Sequence, residues 1–245
     1  MQNINWSHGL DIEVRGDDVV SHTGSVMTRI LADKVGLTDA LSVTLTSENM
    51  IHDRGRVFTD LAVMIAAGGT SISDIEVLGN QKRIFGDVAS TSTAWRTLDD
   101  IDTDKLAQIT ADRNQVRDKV WTLISGRHGS IPPTHTSYGN IEDLIVIRID
   151  ATLIDSHSDK DLAAGNFKGG YGFHPLTAWC DNTGEALAIM PRAGNAGSNT
   201  AADHIAIIDA AIAAIPEKYR HKLLITIDID ILSERRPRRL LRFHV

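Results

Sequence analysis

The sequence predicts an α/β protein, α+β overall, in which a helical N-terminal domain precedes a mixed β-sheet. Two observations support this prediction. Apolar residues recur at helical spacing through the first half of the chain, and continuous β-branched runs follow a segment rich in glycine and proline. We therefore expect four regions: a helical domain at 1–125, a linker at 126–140, a sheet domain at 141–232 and a basic tail at 233–245.

Composition narrows the functional classes. The 245 residues are 42% hydrophobic with a formal net charge of −7, which suits one large or two small cores and argues against wrapping nucleic acid over the whole surface. The apolar runs are far shorter than the roughly 20 residues that cross a bilayer. The polar, acidic N-terminus does not resemble a secretory signal, so we expect a cytoplasmic protein without membrane contact. The single cysteine, Cys180, excludes an intramolecular disulfide and is expected to be buried.

The N-terminal helices are predicted from apolar spacing and from residues that favour helix ends. A helix over 25–35 ends at Gly36, a second follows directly with Thr38 as its cap, and a third covers 54–67. A long amphipathic helix begins at Thr103. The first two helices, joined by a tight glycine turn, fit either a DNA-binding helix-turn-helix or a helical hairpin within a core, and both interpretations stay open.

The second half alternates strands with a hairpin and one helix. The run at 144–154 predicts a strand that is buried on both faces and contains Asp150. The turn signal at 181–184 predicts a β-hairpin, and the run at 223–230 predicts another buried strand. The helix between them has these expected positions: Ser198 or Asn199 as cap, and Ile205, Ile208, Ile212 and Ile215 as core face.

Two aspartates end the predicted buried strands, Asp150 on the first and Asp228 on the last. A carboxylate in such a place is costly to desolvate unless it is paired or bound to a cation. Two of them invite a shared Mg²⁺ or Mn²⁺, and a metal pair about 4 Å apart is suited to cutting and joining phosphodiesters. A strand-terminal aspartate is also a common loop cap, so this interpretation stays open.

Three motifs give a more specific indication: RIDATL around Asp150, GFHPL at 172–176 and RAGNAGSNTAADH at 192–204. With them, the chain from about residue 20 to Asp228 resembles the DDE transposases of bacterial insertion sequences. The resemblance implies an RNase H-like catalytic domain in which Asp150 and Asp228 are the first two catalytic, Mg²⁺-binding acids and a glutamate far downstream is the third. It also implies DNA strand cleavage and transfer at terminal inverted repeats, and it allows a homo-oligomer.

The chain departs from that family's pattern after Asp228. The only later glutamate is Glu234, too near in sequence to be the third acid, and the arginine-rich tail is unlike the family. We therefore expect a truncated or frameshifted transposase that no longer cleaves DNA. The alternative is a non-catalytic fragment that binds DNA or oligomerises, and so inhibits intact transposase. A haloacid-dehalogenase-like reading of the Asp228–Asp230 motif fails, because too few residues follow to build that fold.

Three further residues are candidate DNA contacts. Lys168 lies beside flexible glycines, and Arg192 and Asn195 precede a predicted helix N-terminus, where amides and the helix dipole favour phosphate. A solvated loop lysine and an ordinary turn with a cap explain the same residues. His157 and His174 lie near the predicted site, and His174 is interpreted as a structural hydrogen-bonding residue.

Overall fold

The computed structural model describes residues 22–47, 51–197, 200–227 and 240–241. Asp228, the predicted caps Ser198 and Asn199 and most of the basic tail lie outside these ranges. The chain divides into two compact units between Lys119 and Val120. Among the residues that the structure describes, no helix combines the length and apolar character needed to cross a membrane.

Within the described ranges the regular elements before residue 134 are helices, and the strands follow, as expected. The α-helices are α1 Ser25–Val35, α2 Leu37–Thr44, α3 Arg54–Ala66, α4 Ile75–Gly79, α5 Lys82–Phe85, α6 Thr91–Asp99, α7 Thr103–His128 and α8 Ala201–Ala214. The strands are β1 Thr134–Thr136, β2 Gly139–Ile141, β3 Ile145–Ala151, β4 Ile154–Asp155, β5 Ala164–Gly165, β6 Tyr171–Phe173, β7 Leu176–Cys180, β8 Glu185–Met190, β9 Leu223–Ile227 and β10 Leu240–Leu241.

The ends of the first helices follow local chemistry. Helix α1 has the predicted bounds because Gly36 adopts a left-handed φ of 85° that most residues avoid. The prediction that Thr38 caps α2 is wrong: Thr38 lies inside the first turn, is buried, and donates to Asp33 Oδ1 at 2.6 Å. Helix α3 begins after Asp53, whose carboxylate accepts from the Arg56 amide at 2.9 Å. DNA contact by these helices stays a prediction.

A buried ion pair lies inside the N-terminal unit. Arg29 on α1 and Asp60 on α3 are only 3% and 1% exposed, and Arg29 Nε lies 3.0 Å from Asp60 Oδ1. Arg29 also donates to the carbonyl oxygen of Phe85. Burial raises the pKa of Asp60 to about 6, against the opposing attraction of Arg29. The pair thus joins α1 to α3, and removal of either charge would leave the other buried without compensation.

The raised pKa of Asp60 predicts how this unit responds to pH. Because the folded pKa of about 6 exceeds the ordinary value of 3.8, protonation of Asp60 stabilises the fold. That stabilisation is complete below about pH 4 and is lost as the pH rises through about 6. The unfolding free energy of wild type minus that of Asp60→Asn should therefore decrease as the pH is raised from about 4 to above about 6. Urea unfolding followed by circular dichroism measures it, and a pH-independent difference would contradict the assignment.

The C-terminal unit is built on a five-stranded mixed sheet with the order β10-β9-β3-β7-β8. The central strand β3 is antiparallel to β7 and parallel to β9. The predicted hairpin is confirmed: β7 and β8 pair around a turn in which Gly184 has a φ of 66°. A hairpin beside a central strand, followed by a helix and a parallel strand, is the predicted opening of an RNase H-like sheet, and the predicted α/β class is confirmed.

One face of this sheet packs in the core against α8. The buried residues of α8 are Ile207, Ala211 and Ala214, whereas Ile205 is exposed, so the predicted isoleucine face was partly wrong. Small alanines face the sheet because they allow a helix backbone to approach it closely. Ile208 and Ile212 are partly buried at the edge of the same core, and Ile215 is fully buried.

The segment expected to be an irregular linker at 126–140 contains regular structure. Helix α7 continues through Gly126 to His128, and β1 and β2 pair from Thr134↔Ile141 to Thr136↔Gly139. Glycine lowers helix stability without forbidding helix, and this one lies in an exposed turn. The functional division of the chain into the four predicted regions stays a prediction.

A second small sheet interrupts the main one. Strands β4, β6 and β5 form a three-stranded antiparallel sheet between β3 and β7 in the chain. We call residues 152–175 the insertion. Its two ends meet where the Thr152 amide donates to the carbonyl of Pro175 at 3.1 Å. The insertion therefore leaves the main sheet and returns to it beside the end of β3.

Candidate active site

Asp150 is the second-last residue of β3, at the end of the strand where the insertion departs. It pairs with Thr177 on β7, whose hydroxyl donates to the Asp150 carbonyl oxygen at 3.1 Å. Its neighbour Ile149 is fully buried, whereas the Asp150 residue itself is exposed. The Asp150 carboxylate is therefore hydrated, and desolvation does not require it to have a partner. Its exposure instead leaves it open to a hydrated ion.

The strand next to β3 leads to the other predicted acid. Ile149 on β3 is the register partner of Ile227 on β9, and the two strands run in the same direction. Asp150 directly follows Ile149, and Asp228 directly follows Ile227 in the chain. Asp228 itself lies outside the described residues.

Side chains alternate across a strand, so Asp150 shares a face of β3 with Arg148. This face is opposite to Ile147 and Ile149, which pack in the core with α8. Arg148 forms an ion pair with Asp181, with Nη2 at 2.8 Å from Oδ2. It was not singled out from the sequence, where an arginine within an apolar strand gave no functional signal. Arg148 places a positive charge two residues from Asp150.

The described residues do not by themselves form a complete metal centre. Within the described ranges, no group of three or more histidine, cysteine or acidic side chains is arranged to hold a metal ion. Asp150 is the only one of the two predicted ligands that these ranges include. Cys180 is fully buried, as predicted, and burial raises the pKa of its thiol, which makes it a poor nucleophile.

Lys168 lies at the tip of the hairpin formed by β5 and β6. This turn is held by Asn166, whose side-chain oxygen accepts from the Lys168 and Gly170 amides, both at 3.0 Å. The Asn166 side-chain nitrogen donates to Asp155 Oδ1 at 3.1 Å. Lys168 is exposed and its Nζ lies 5.6 Å from the centre of the neighbouring Phe167 ring. The lysine therefore projects from an ordered turn.

Arg192 is buried and hydrogen-bonded within the fold, and its predicted DNA contact stays a prediction. It is 6% exposed, and its Nε donates to the His174 carbonyl at 3.0 Å. Its Nη1 donates to the Gly197 carbonyl at 3.0 Å and lies 3.1 Å from Asp203 Oδ2. These contacts connect the end of the insertion with the first turn of α8. Arg192 is thus a positioning residue for that connection.

The histidines and Asn195 have different surroundings. His174 is 2% exposed and its Nδ1 donates to the Ala196 carbonyl at 2.9 Å, which confirms the structural interpretation. His157 is exposed and stacks on Tyr171, with ring centres 6.0 Å apart. Asn195 is exposed in the turn in which the Ala196 amide donates to the Ala193 carbonyl. Asn195 therefore stays a candidate DNA contact, whereas His174 supports the loop from within.

Comparison with known proteins identifies the family. A family model described as transposase DDE domain group 1 matches residues 4–228. No curated protein and no solved structure matches the chain. The matched segment contains the strand that carries Asp150 and extends to Asp228, in agreement with the motifs RIDATL, GFHPL and RAGNAGSNTAADH. The chain therefore belongs to the transposase DDE domain group 1 family.

Proposed function

We propose that Asp150 and Asp228 are the first two acidic ligands of a site for divalent-metal-dependent cleavage and transfer of DNA strands. DNA is the partner that membership of a transposase family implies. The observation that supports the proposal is the register of Ile149 with Ile227 on two parallel strands, because the next residue in the sequence after each of them is an aspartate.

The ligand chemistry fits Mg²⁺ or Mn²⁺. Both ions prefer carboxylate oxygens, and Mg²⁺ usually keeps several of its waters, which an exposed Asp150 allows. When bound, such ions activate an attacking hydroxyl and stabilise the leaving oxygen of a phosphodiester. The role of Asp150 is to hold the ion at the end of β3. The hydrogen bond from Thr177 to the Asp150 carbonyl keeps the backbone of that strand end in place.

The third acidic ligand, which the resemblance implies far downstream of Asp228, is the point at which the 245-residue chain departs from the family pattern. Its only glutamate after Asp228 is Glu234, six residues on. We propose that the chain alone binds metal weakly and does not cleave terminal inverted repeats, as an inactive transposase. The alternative is a non-catalytic fragment with a role of its own, which binds DNA or oligomerises with intact transposase and so inhibits it. Lys168 and Asn195 are the proposed DNA contacts, since both are exposed on turns of the same unit.

Metal binding is tested first. We expect Asp150→Asn to weaken Mn²⁺ binding by about tenfold or more, a loss of roughly 1.4 kcal/mol or more, because it removes a charged ligand. Electron paramagnetic resonance of free Mn²⁺ measures this directly on the full chain. Asp159→Asn, which neutralises an exposed acid within the insertion, is the matched control and should leave Mn²⁺ binding unchanged. Equal affinity of Asp150→Asn and wild type would contradict the metal site.

A DNA assay then distinguishes the enzyme from the fragment. The probe is a duplex that carries the terminal repeat of the element, incubated with the full chain and Mg²⁺ or Mn²⁺. Binding without strand cleavage is the expected result and supports the non-catalytic proposal. Cleavage by wild type that is lost in Asp150→Asn would show an active enzyme and overturn the proposed inactivity. No binding to the duplex would overturn the proposed DNA interaction of this chain.

A further inference from the structure

We propose that the turn at the tip of hairpin β5–β6 is a site for an unpaired DNA base, in which Phe167 stacks on the base and Lys168 contacts an adjoining phosphate. This inference rests on the proposed function, because it assigns a binding role within the same DNA-processing unit. The ligand class is single-stranded DNA, either a frayed end or a separated strand next to the cleavage position.

Phe167 is exposed although its position is fixed. The residue is 65% exposed, a large apolar surface for a side chain in a turn. The turn is ordered by Asn166, which accepts from two turn amides and donates to Asp155. The Phe167 ring also lies 5.9 Å from the ring of the buried His174. An exposed aromatic ring in a rigid turn loses little conformational entropy when it binds a flat ligand.

The tip combines an aromatic ring with a cation. Aromatic rings bind unpaired bases by stacking, which contributes about 1–3 kcal/mol for each base, and a nearby cation binds the backbone phosphate. Lys168 Nζ lies over the Phe167 ring, 5.6 Å from its centre, so a base that stacks on this face displaces the lysine toward the adjoining phosphate. Residues 162–171 contain Lys168 and no acidic side chain. Lys168 is thus the only charged side chain of the tip itself, and the Asp155 carboxylate beside the turn is hydrogen-bonded to Asn166.

A short series of contacts connects the tip with Asp150. Thr177 is the register partner of Asp150, and His174 is three residues before Thr177 in the chain. At about 3.3 Å per residue, this places the His174 backbone within roughly 10 Å of that of Thr177. His174 in turn contacts the Phe167 ring. A strand bound with its phosphodiester at Asp150 therefore needs only a few nucleotides to reach the tip.

Fluorescence anisotropy with two labelled probes tests this proposal. The probes are a short oligothymidine strand and a blunt duplex of equal length, each titrated with the full chain. We expect Phe167→Ala to weaken binding of the single strand by about 5- to 150-fold, the loss of one stacked base, with little change for the duplex. Phe167→Trp should retain single-strand binding. Lys168→Ala should weaken both probes and reduce the salt dependence by about one phosphate contact.

Tyr138→Ala is the matched control, because Tyr138 is 99% exposed and lies in the turn of another hairpin, β1–β2. It should bind both probes as wild type does. Three results would each overturn the proposal: unchanged single-strand affinity in Phe167→Ala, an equal loss in Tyr138→Ala, or loss of binding in Phe167→Trp. In each case the Mn²⁺ and duplex results would still support the proposed function. Failure of wild type to bind either probe would overturn both. Circular dichroism of each variant verifies that the fold is retained.

Discussion

Replacing Arg29 by methionine is expected to lower the unfolding free energy of the N-terminal unit by about 3–5 kcal/mol near pH 7. The substitution leaves the Asp60 carboxylate, only 1% exposed, without its partner at 3.0 Å. The other guanidinium nearby, Arg56, is engaged with Asp33 at 2.9 Å. The Phe85 carbonyl also loses its donor. Few substitutions of a single buried side chain in this unit should lower the unfolding free energy as much.

The pH dependence identifies the cause of this loss. Since Arg29 opposes the burial that raises the pKa of Asp60 to about 6, its removal raises that pKa further. Protonation of Asp60 should therefore reduce the penalty at about pH 5. Hydrogen exchange of the α1 and α3 amides measures the effect within this unit. Lys34→Met, an exposed change on the same helix, should stay within about 0.5 kcal/mol, and Arg29→Met combined with Asp60→Leu should regain most of the loss.

Replacing Gly172 by alanine is expected to destabilise the small sheet of the insertion by about 2–4 kcal/mol. Gly172 has a φ of 155°, a conformation that side-chain-bearing residues rarely adopt. An added Cβ would overlap the Ile154 carbonyl oxygen and lie 2.7 Å from the Ser156 amide nitrogen. Both neighbours are backbone atoms, one within β4 and the other in the residue that follows it. They cannot move without breaking the pairing of β4 with β6.

The measurement is hydrogen exchange of the Ser156 and Asn166 amides, which donate within the insertion to Tyr171 and Gly170. Both should lose protection in Gly172→Ala. Gly165→Ala is the matched control on the adjacent strand, because an added Cβ there meets only one backbone oxygen at 4.0 Å. If the Phe167 turn binds a DNA base as proposed, Gly172→Ala should also weaken single-strand binding with Phe167 still present. Equal protection in both glycine variants would contradict the steric argument.

The sequence predicted best those elements whose signals are local. Gly36 ends α1 and Gly184 closes the β7–β8 turn because each has a positive φ that few other residues adopt, and both positions were predicted. Strand β3 was predicted from its apolar run, but the expected burial on both faces is wrong toward its end, where Arg148 is half-buried and Asp150 is exposed. In these cases the residues that determine the conformation are neighbours in the chain, so the pattern alone is sufficient.

The insertion was missed because its strands are too short to show periodicity. Strand β5 has two residues and β6 has three, and their pairing depends on glycines that let backbones meet closely. The burial of Arg192 was not anticipated for a related reason: its acceptors, including the His174 and Gly197 carbonyls, are assembled by the folded chain, and sequence patterns do not reveal which arginine they will bury.

The candidate site was predictable in part. Both strand ends that lead to Asp150 and Asp228 were anticipated, because an apolar run followed by an acid is visible in the letters. The exposure of Asp150 was not, since burial of Ile149 says nothing about the next side chain on the opposite face. The pairing of Ile149 with Ile227 is a non-local register that only the fold specifies.

The meeting of the two ends of the insertion has a consequence for modularity. Thr152 and Pro175 are joined by a backbone hydrogen bond of 3.1 Å, so β3 and β7 would be neighbours even without the residues between them. A tight two-residue turn in place of that excursion would preserve the register of Asp150 with Thr177. The length of the excursion is thus independent of the pairing of Asp150 with Thr177, although Phe173 and Leu162 also tie it to the loop after β8 through Ala193 and Gly194.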